Sequence, residues 1–243
     1  MRNIRAAHRK SLLGMVWLVL PPIVNTGVWV LLNSSGAVEL GVGADIAYPV
    51  FALTGILIWQ IFLDALQVPF NIMQSFETII KSLYFKREAL LGAAALEIIF
   101  NSGIRLVLVL TGLLIFKTVF YPAALLFVFP LAVLLILGFA LNLWILPFFL
   151  LYKDVGRLLG FATQFLFFLT PIIYELPDNG SVFAKIAYWN PVAPPLMACR
   201  DLLLTGVTTH WPATLWVFLL SLFLLLTGLR IFKITCMRVI ERI

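Results

Sequence analysis

Long apolar stretches separated by short polar segments make up most of the chain. Residues 12–32, 46–70, 93–116, 122–149, 158–174 and 212–232 each consist mainly of apolar side chains. A transmembrane helix needs about 20 such residues to cross the hydrocarbon core of a bilayer. The pattern therefore predicts an all-α polytopic membrane protein, with six transmembrane helices in a single transmembrane domain over residues 1–243.

The composition and the distribution of charge support this prediction. Hydrophobic residues make up 63% of the chain and charged residues 12%, compared with about half and a quarter in a soluble domain. If the N-terminus is cytoplasmic, three basic residues fall outside (Lys117, Lys185 and Arg200) and Arg105 falls inside a span. The other thirteen fall in cytoplasmic segments: Arg2, Arg5, Arg9, Lys10, Lys81, Lys86, Arg87, Lys153, Arg157, Arg230, Lys233, Arg238 and Arg242. This positive-inside bias predicts two cytoplasmic termini and explains the net charge of +6 without nucleic acid.

The segment between the last two predicted spans contains two short apolar pieces, residues 181–189 and 195–206. Prolines interrupt the chain between them, and each piece is too short to cross a bilayer. Backbone that is not part of a spanning helix is tolerated at membrane depth only where protein shields it. We therefore expect two outer re-entrant half-helices in an outer gate segment, residues 181–206.

Charged side chains occur inside two predicted spans. Asp64 lies near the cytoplasmic end of the second span, and Glu97, Asn101 and Arg105 follow one another at intervals of four in the third. This spacing places the latter three on one helix face. An unpaired Arg at this depth costs at least about 2.5–3.5 kcal/mol, so Arg105 needs a carboxylate partner. We expect that partner to be Asp64, with Glu97 as the alternative, in either a structural ion pair or a substrate path.

The cytoplasmic segment 71–92 mixes charged with large apolar residues. Such a mixture is typical of an amphipathic helix that lies on the membrane surface or docks into a partner's groove. The residues alone leave both interpretations open.

Aromatic residues recur along the fifth predicted span, where Phe161, Phe165 and Phe168 share one helix face. They are typical of lipid-facing or core positions, but they also suit a channel along which sugar rings slide. Trp59 and Phe62 in the second span would extend that lining.

Signatures of enzymes are largely missing from the sequence. There is no phosphate-binding loop, no H-E-x-x-H zinc motif and no C-x-x-C pair. Cys199 and Cys236 have no metal-ligand spacing, and we interpret both as packing residues. We therefore expect no catalytic residue, no bound metal and no cofactor in this chain.

Six segments along the chain match the sequence pattern of a known family: RKSLLGMVWLVLPPI, FALTGILIWQIF, FETIIKSLYFKREAL, LYKDVGRLLGFATQFLFFLTPIIY, YWNPVAPPLMACRDLLLTG and FKITCMRVIERI. Over nearly the whole length, they resemble the membrane (permease) subunits of polysaccharide-exporting ABC transporters, in the ABC type-2 exporter family that exports O-antigen, capsule or teichoic acid. Two departures stand out. Lys86 replaces the family's usual Pro, and residues 1–10 provide only about two turns of the amphipathic segment that precedes the first span.

The resemblance implies that two copies of the chain form a channel in the bacterial inner membrane. It also implies that two copies of a separate ABC ATPase subunit, which holds ATP and Mg, drive a lipid-linked polysaccharide through this channel. The residues implied to couple to the ATPase are Phe76, Lys81, Tyr84, Phe85, Lys86, Arg87, Glu88, Lys153, Asp154 and Arg157, with a coupling helix at 76–88. The outer gate would include Tyr174, Tyr188, Trp189, Asn190 and Arg200.

Three alternatives stay open at this point. Asp154 and Arg157 also suit a solvated helix start with no coupling role. The chain as a whole also suits a drug or lipid exporter of the same superfamily. A membrane enzyme of lipid-linked sugar metabolism would need an acidic cluster, for which Glu175, Asp178 and Asp201 are the outer candidates.

Overall fold

A computed structural model describes residues 16–37, 46–76, 88–152, 154–176 and 182–240 of the chain. These residues form helices and no strands. The α-helices are α1 (Val16–Ser34), α2 (Tyr48–Ser75), α3 (Glu88–Ile115), α4 (Val128–Leu151), α5 (Asp154–Leu169), α6 (Val182–Trp189), α7 (Ala193–Leu204) and α8 (Trp211–Ile240), and a 3₁₀ helix (Pro122–Phe127) precedes α4. Five of the described segments are long and apolar enough to cross a membrane: α1, α2, α3, the 3₁₀ helix with α4, and α8.

The prediction of a multi-pass, all-α membrane protein is therefore confirmed, whereas the count of six spans is not. The segment predicted as the fifth span, 158–174, forms the 16-residue helix α5, which begins four residues earlier and ends five residues sooner. At a rise of 1.5 Å per residue, α5 is about 24 Å long, shorter than the hydrocarbon core of about 30 Å. The cytoplasmic location of the termini and the insertion of α6 and α7 into the outer leaflet stay predictions.

Helix α2 lies at the centre of the packing. It contacts α1, α3, α4 and α7, and most of its side chains are buried. Its contact with α4 is close because Gly138 has no side chain, so that a Cβ there would lie 2.9 Å from the Cβ of Ala65. Asn142 of α4 then donates a hydrogen bond from Nδ2 to the Leu66 carbonyl at 2.7 Å. Small residues and interhelical hydrogen bonds are the usual means of holding helices together in lipid.

Helix α3 ends in a left-handed residue that is not glycine. Lys117 has a φ of 52°. The Thr118 N–H donates to the Leu113 carbonyl at 3.0 Å, and the Lys117 N–H donates to the Leu114 carbonyl at 3.2 Å. This is the hydrogen-bond pattern of a Schellman C-cap, which usually has glycine at the left-handed position.

Helix α5 ends in an irregular turn because Pro171 has no N–H with which to continue the helix. The last helical bond in this region joins the Thr170 N–H to the Leu166 carbonyl at 3.0 Å, and the Ile172 N–H then donates to the Thr170 carbonyl at 2.7 Å. Thr170 and Ile172 are both fully buried. The chain then reaches α6 and α7, which correspond to the two short apolar pieces predicted at 181–189 and 195–206.

Candidate functional site

An ion pair joins α2 to α3. Arg105 of α3 contacts both carboxylate oxygens of Asp64 in α2, with Nη2 donating to Oδ1 at 3.1 Å. Its Nε donates to the Gln60 side-chain carbonyl at 3.2 Å. The predicted pairing of Arg105 with Asp64 is confirmed. Because the Arg105 side chain is 8% exposed and that of Asp64 17%, the pair lies between the helices, while Glu97 is half-buried on α3.

The aromatic residues predicted to line a channel fall into two groups. Phe161, Phe165 and Phe168 of α5 are all more than half exposed, and the rings of Phe161 and Phe165 pack at a tilt with centroids 4.7 Å apart. Trp59 and Phe62 lie instead in the core of this chain, 3% and 0% exposed. The structure thus leaves the α5 face on the surface but places the two α2 aromatics where they contact other side chains of the same chain. The role of all five in a channel stays a prediction.

The turn after α5 is bound by the segment predicted to form the outer gate. Asn190, directly after α6, donates from Nδ2 to the Thr170 hydroxyl at 2.7 Å, and its Oδ1 accepts the Val192 N–H at 3.0 Å. Asn190 is 7% exposed and Thr170 fully buried. One amide side chain therefore fixes both the end of α5 and the approach to α7.

Arg200 of α7 binds the same turn from the other side. Its Nη1 donates to the Pro171 carbonyl at 2.7 Å and to the Ile172 carbonyl at 3.3 Å. Its guanidinium carbon lies 3.8 Å from the centre of the Phe51 ring in α2, close enough for a cation–π contact. Burial lowers the pKa of Arg200 to about 10, which still leaves the side chain charged at neutral pH.

A second polar cluster follows at the end of α7. The Thr208 hydroxyl donates to Oδ2 of Asp201 at 3.0 Å, and His210 Nε2 lies 3.6 Å from the same oxygen. Burial raises the pKa of Asp201, and the neighbouring Arg200 and His210 oppose this shift. The cluster ties the start of α8 to α7. Glu175 is exposed and close enough to Asp201 to add to the rise of the Asp201 pKa. Asp178 lies outside the described residues, so the acidic cluster that an enzyme would need stays untested.

The other predicted gate residues have different surroundings. Tyr174 is half-buried and its hydroxyl donates to the Phe168 carbonyl at 2.9 Å. Trp189 is 87% exposed. The side chain of Tyr188 lies outside the described residues.

Most of the residues predicted to couple to an ATPase lie outside the described residues. These are Lys81, Tyr84, Phe85, Lys86, Arg87 and Lys153, together with the side chain of Glu88. Phe76 caps the end of α2. Asp154 and Arg157 occupy the first turn of α5, where they form an exposed pair at 3.3 Å. This geometry agrees with the solvated helix start considered above and leaves a coupling role untested.

The sequence analysis assigned no role to Phe51, Gly55 or Thr170, all of which belong to the buried turn and its surroundings. All three nevertheless lie in segments that carry the family resemblance, FALTGILIWQIF and LYKDVGRLLGFATQFLFFLTPIIY. Cys199 is fully buried with Sγ 3.6 Å from the Phe127 carbonyl, as expected of a packing residue, and the side chain of Cys236 lies outside the described residues. Within the described ranges, no three His, Cys, Asp or Glu side chains lie together as a metal site requires.

Comparison with known proteins gives three relatives that match nearly the whole chain. Two are O-antigen export system permease proteins RfbA of Klebsiella pneumoniae, 23% and 22% identical over 241 residues, which cover 96% of this chain and 88% of each relative. The third is the polysialic acid transport protein KpsM of Escherichia coli, 20% identical over 234 residues, 96% of this chain and 90% of the relative. No protein-family profile matches the chain.

All three relatives are named as permease or transport proteins and none as an enzyme. The resemblance of this chain to the permease subunits of polysaccharide export is thereby confirmed. Together with this resemblance, the five apolar helices support a multi-pass membrane protein.

Proposed function

We propose that this chain is the membrane subunit of an ATP-driven exporter that moves a lipid-linked polysaccharide, O-antigen or a similar cell-surface glycan, across the bacterial inner membrane. The observation that carries the proposal is the similarity, over 96% of the chain, to permeases named for O-antigen and polysialic acid export. A match of this extent covers nearly the whole chain rather than a shared local motif.

The surface of α5 supports a channel formed by two copies. Leu158, Phe161, Phe165 and Phe168 are 53–66% exposed. They follow one another at intervals of three, four and three residues, the spacing by which one helix packs against another. In a single chain α5 contacts α4 and α6, and the Phe167 ring on its other face packs against Trp59 of α2. A second copy would cover part of this face, and the aromatic rings left uncovered would line the path of the glycan.

ATP hydrolysis, in this proposal, takes place in two copies of a separate ABC ATPase that also binds Mg. The ATPase would contact residues 76–88 and the start of α5, where the exposed Asp154 and Arg157 lie. This chain would itself hold neither nucleotide nor metal. Membrane lipids would surround the exposed apolar faces of α1, α3 and α8.

The test is export in the native host. Deleting the gene should abolish the cell-surface glycan and leave its lipid-linked precursor inside the cell, and the wild-type gene should restore export only together with an active ATPase encoded next to it. Surface glycan that persists in the deletion strain, with no other permease gene present, would remove the proposal.

Charge reversal separates coupling from insertion. Lys86→Glu with Arg87→Glu should abolish export and glycan-stimulated ATPase activity but leave the protein in the membrane. The matched control, Arg230→Glu with Lys233→Glu, changes the same number of charges on the predicted cytoplasmic side and should export normally. Normal export by the Lys86 and Arg87 variant would show that the coupling residues lie elsewhere.

A further inference from the structure

The buried turn at residues 170–172 is the point where three parts of the protein meet. It ends α5, it is bound by Asn190 between α6 and α7, and it is bound by Arg200 of α7. Four residues surround this turn, and we call them the outer clamp: Phe51, Gly55, Asn190 and Arg200. Each of the four is less than 9% exposed, so the clamp is a packed joint rather than a surface contact.

The backbone of α2 lies so close to this turn that no side chain would fit at the point of contact. A Cβ added at Gly55 would lie 2.1 Å from the Ile172 carbonyl oxygen and 3.0 Å from its carbon. The backbones of α2 and the turn are therefore in direct contact, and only glycine permits it. One turn earlier on α2, Phe51 presents its ring to the guanidinium of Arg200. The turn thus cannot shift relative to α2 without breaking both contacts.

The other end of α2 leads directly into the segment proposed to contact the ATPase. Gly55 and Ser75 are 20 residues apart, which corresponds to about 30 Å of helix, the thickness of the hydrocarbon core. Between these points, α2 is fixed to α3 by the Asp64–Arg105 pair and to α4 by Asn142. Because α3 begins where the same cytoplasmic segment ends, a displacement of that segment acts on both helices together.

From this geometry we infer that α2 transmits motion of the cytoplasmic segment to the outer gate segment through the outer clamp. Gly55 and Arg200 are positioning residues in this inference, because they act on the gate through the turn at 170–172. The inference rests on the proposed function. It assigns the route to α2 rather than to the exposed cytoplasmic start of α5.

The test measures the gate directly. Trp189 is 87% exposed directly before Asn190, so a Trp189→Cys variant, with Cys236→Ser and the buried Cys199 retained, reports on the gate segment. The rate of its labelling by a membrane-impermeant maleimide is measured in the complete transporter in liposomes, with and without ATP and vanadate. ATP should change this rate, and Gly55→Ala should abolish the ATP-dependent change while ATP hydrolysis continues.

A matched control is available on α3. A Cβ at Gly112 would meet only the end of the Leu53 side chain, at 2.6 Å, which can rotate away. Gly112→Ala should therefore keep the ATP-dependent change. If Gly55→Ala does not assemble, Phe51→Leu tests the same joint, because it removes the ring beneath Arg200 and keeps an apolar side chain in place. It should reduce the ATP-dependent change relative to the control.

Two results would overturn the inference. One is an ATP-dependent change in Gly55→Ala or Phe51→Leu as large as that in Gly112→Ala. The other is the absence of any ATP-dependent change in labelling in a Trp189→Cys transporter that exports glycan. That second result would leave the proposed function intact. Failure of the correctly assembled wild-type transporter to export any glycan would instead count against the proposed function and with it the inference.

Discussion

The ion pair between Asp64 and Arg105 provides the sharpest test of how this membrane domain is held together. Replacing Arg105 by Met leaves the Asp64 carboxylate between two helices without its cation. Breaking a buried pair in this way costs about 3 kcal/mol or more, similar to the cost of an unpaired charge in a bilayer. For a chain of this length, 1 kcal/mol corresponds to about 2–4 °C in Tm. Arg105→Met and Asp64→Leu should each lower Tm by about 6–12 °C.

The double variant Asp64→Leu with Arg105→Met should lose much less than the sum of the two. It removes both charges, and the main remaining defect is the Gln60 side-chain carbonyl, which loses the hydrogen bond from Arg105 Nε. One lost hydrogen bond costs about 1 kcal/mol. We therefore expect the double variant to be at least about 2 kcal/mol more stable than the sum of the two single losses predicts. A coupling of this kind is expected of residues in contact.

The assay is the Tm of the purified protein in lipid nanodiscs, followed by tryptophan fluorescence. Arg157→Met combined with Asp64→Leu serves as the control, because Arg157 pairs with Asp154 and is 89% exposed, so these two changes should be additive. Additive losses in the Asp64 and Arg105 cycle would refute the pairing. Export then separates the two interpretations of the pair, since a stable double variant that exports shows a structural pair, and one that does not export shows a substrate path.

Two further predictions concern Lys117 and Asp201. Lys117→Gly should raise Tm by about 2–8 °C, because a left-handed backbone costs a residue with a Cβ about 1–2 kcal/mol. Lys117→Ala keeps that cost and should show no gain. Burial raises the pKa of Asp201, so the folded chain holds the carboxyl proton more tightly than the unfolded chain does. The contribution of Asp201 to stability should therefore fall as pH rises from about 4 through the raised pKa. Asp201→Asn should remove this part of the dependence of Tm on pH, and an unchanged slope in that variant would contradict the assignment.

Local patterns predicted much of the fold because the rules that place helices in membranes act on neighbouring residues. Apolar length predicted which segments form the long helices, and the four-residue spacing on α3 identified the face that carries Arg105. The cost of an unpaired charge in lipid then identified Asp64 as its partner. Each of these predictions rests on a pattern of neighbouring residues or on one large free-energy cost.

Packing between distant residues was not predictable in this way. Trp59 and Phe161 have similar side chains and lie in helices of similar composition, but one is buried in the core of the chain and the other is 62% exposed. No period distinguishes them, because α2 is surrounded by other helices and α5 is not. The contact of Gly55 with Ile172 joins residues more than a hundred positions apart, and a glycine in an apolar helix does not by itself indicate what approaches it.

The rule that irregular backbone at membrane depth must be shielded by protein connects these distant contacts. The sequence predicts a continuous span over 158–174, whereas the helix stops at Leu169 and the next residues form a turn. The carbonyls that this turn leaves without helical partners, those of Pro171 and Ile172, accept hydrogen bonds from Arg200. Arg200 is charged and fully buried, which is costly unless such partners are present. The early end of α5, the buried Arg200 and the absence of a side chain at Gly55 therefore belong to the same shielded turn. Altering any one of them should expose the Pro171 and Ile172 carbonyls.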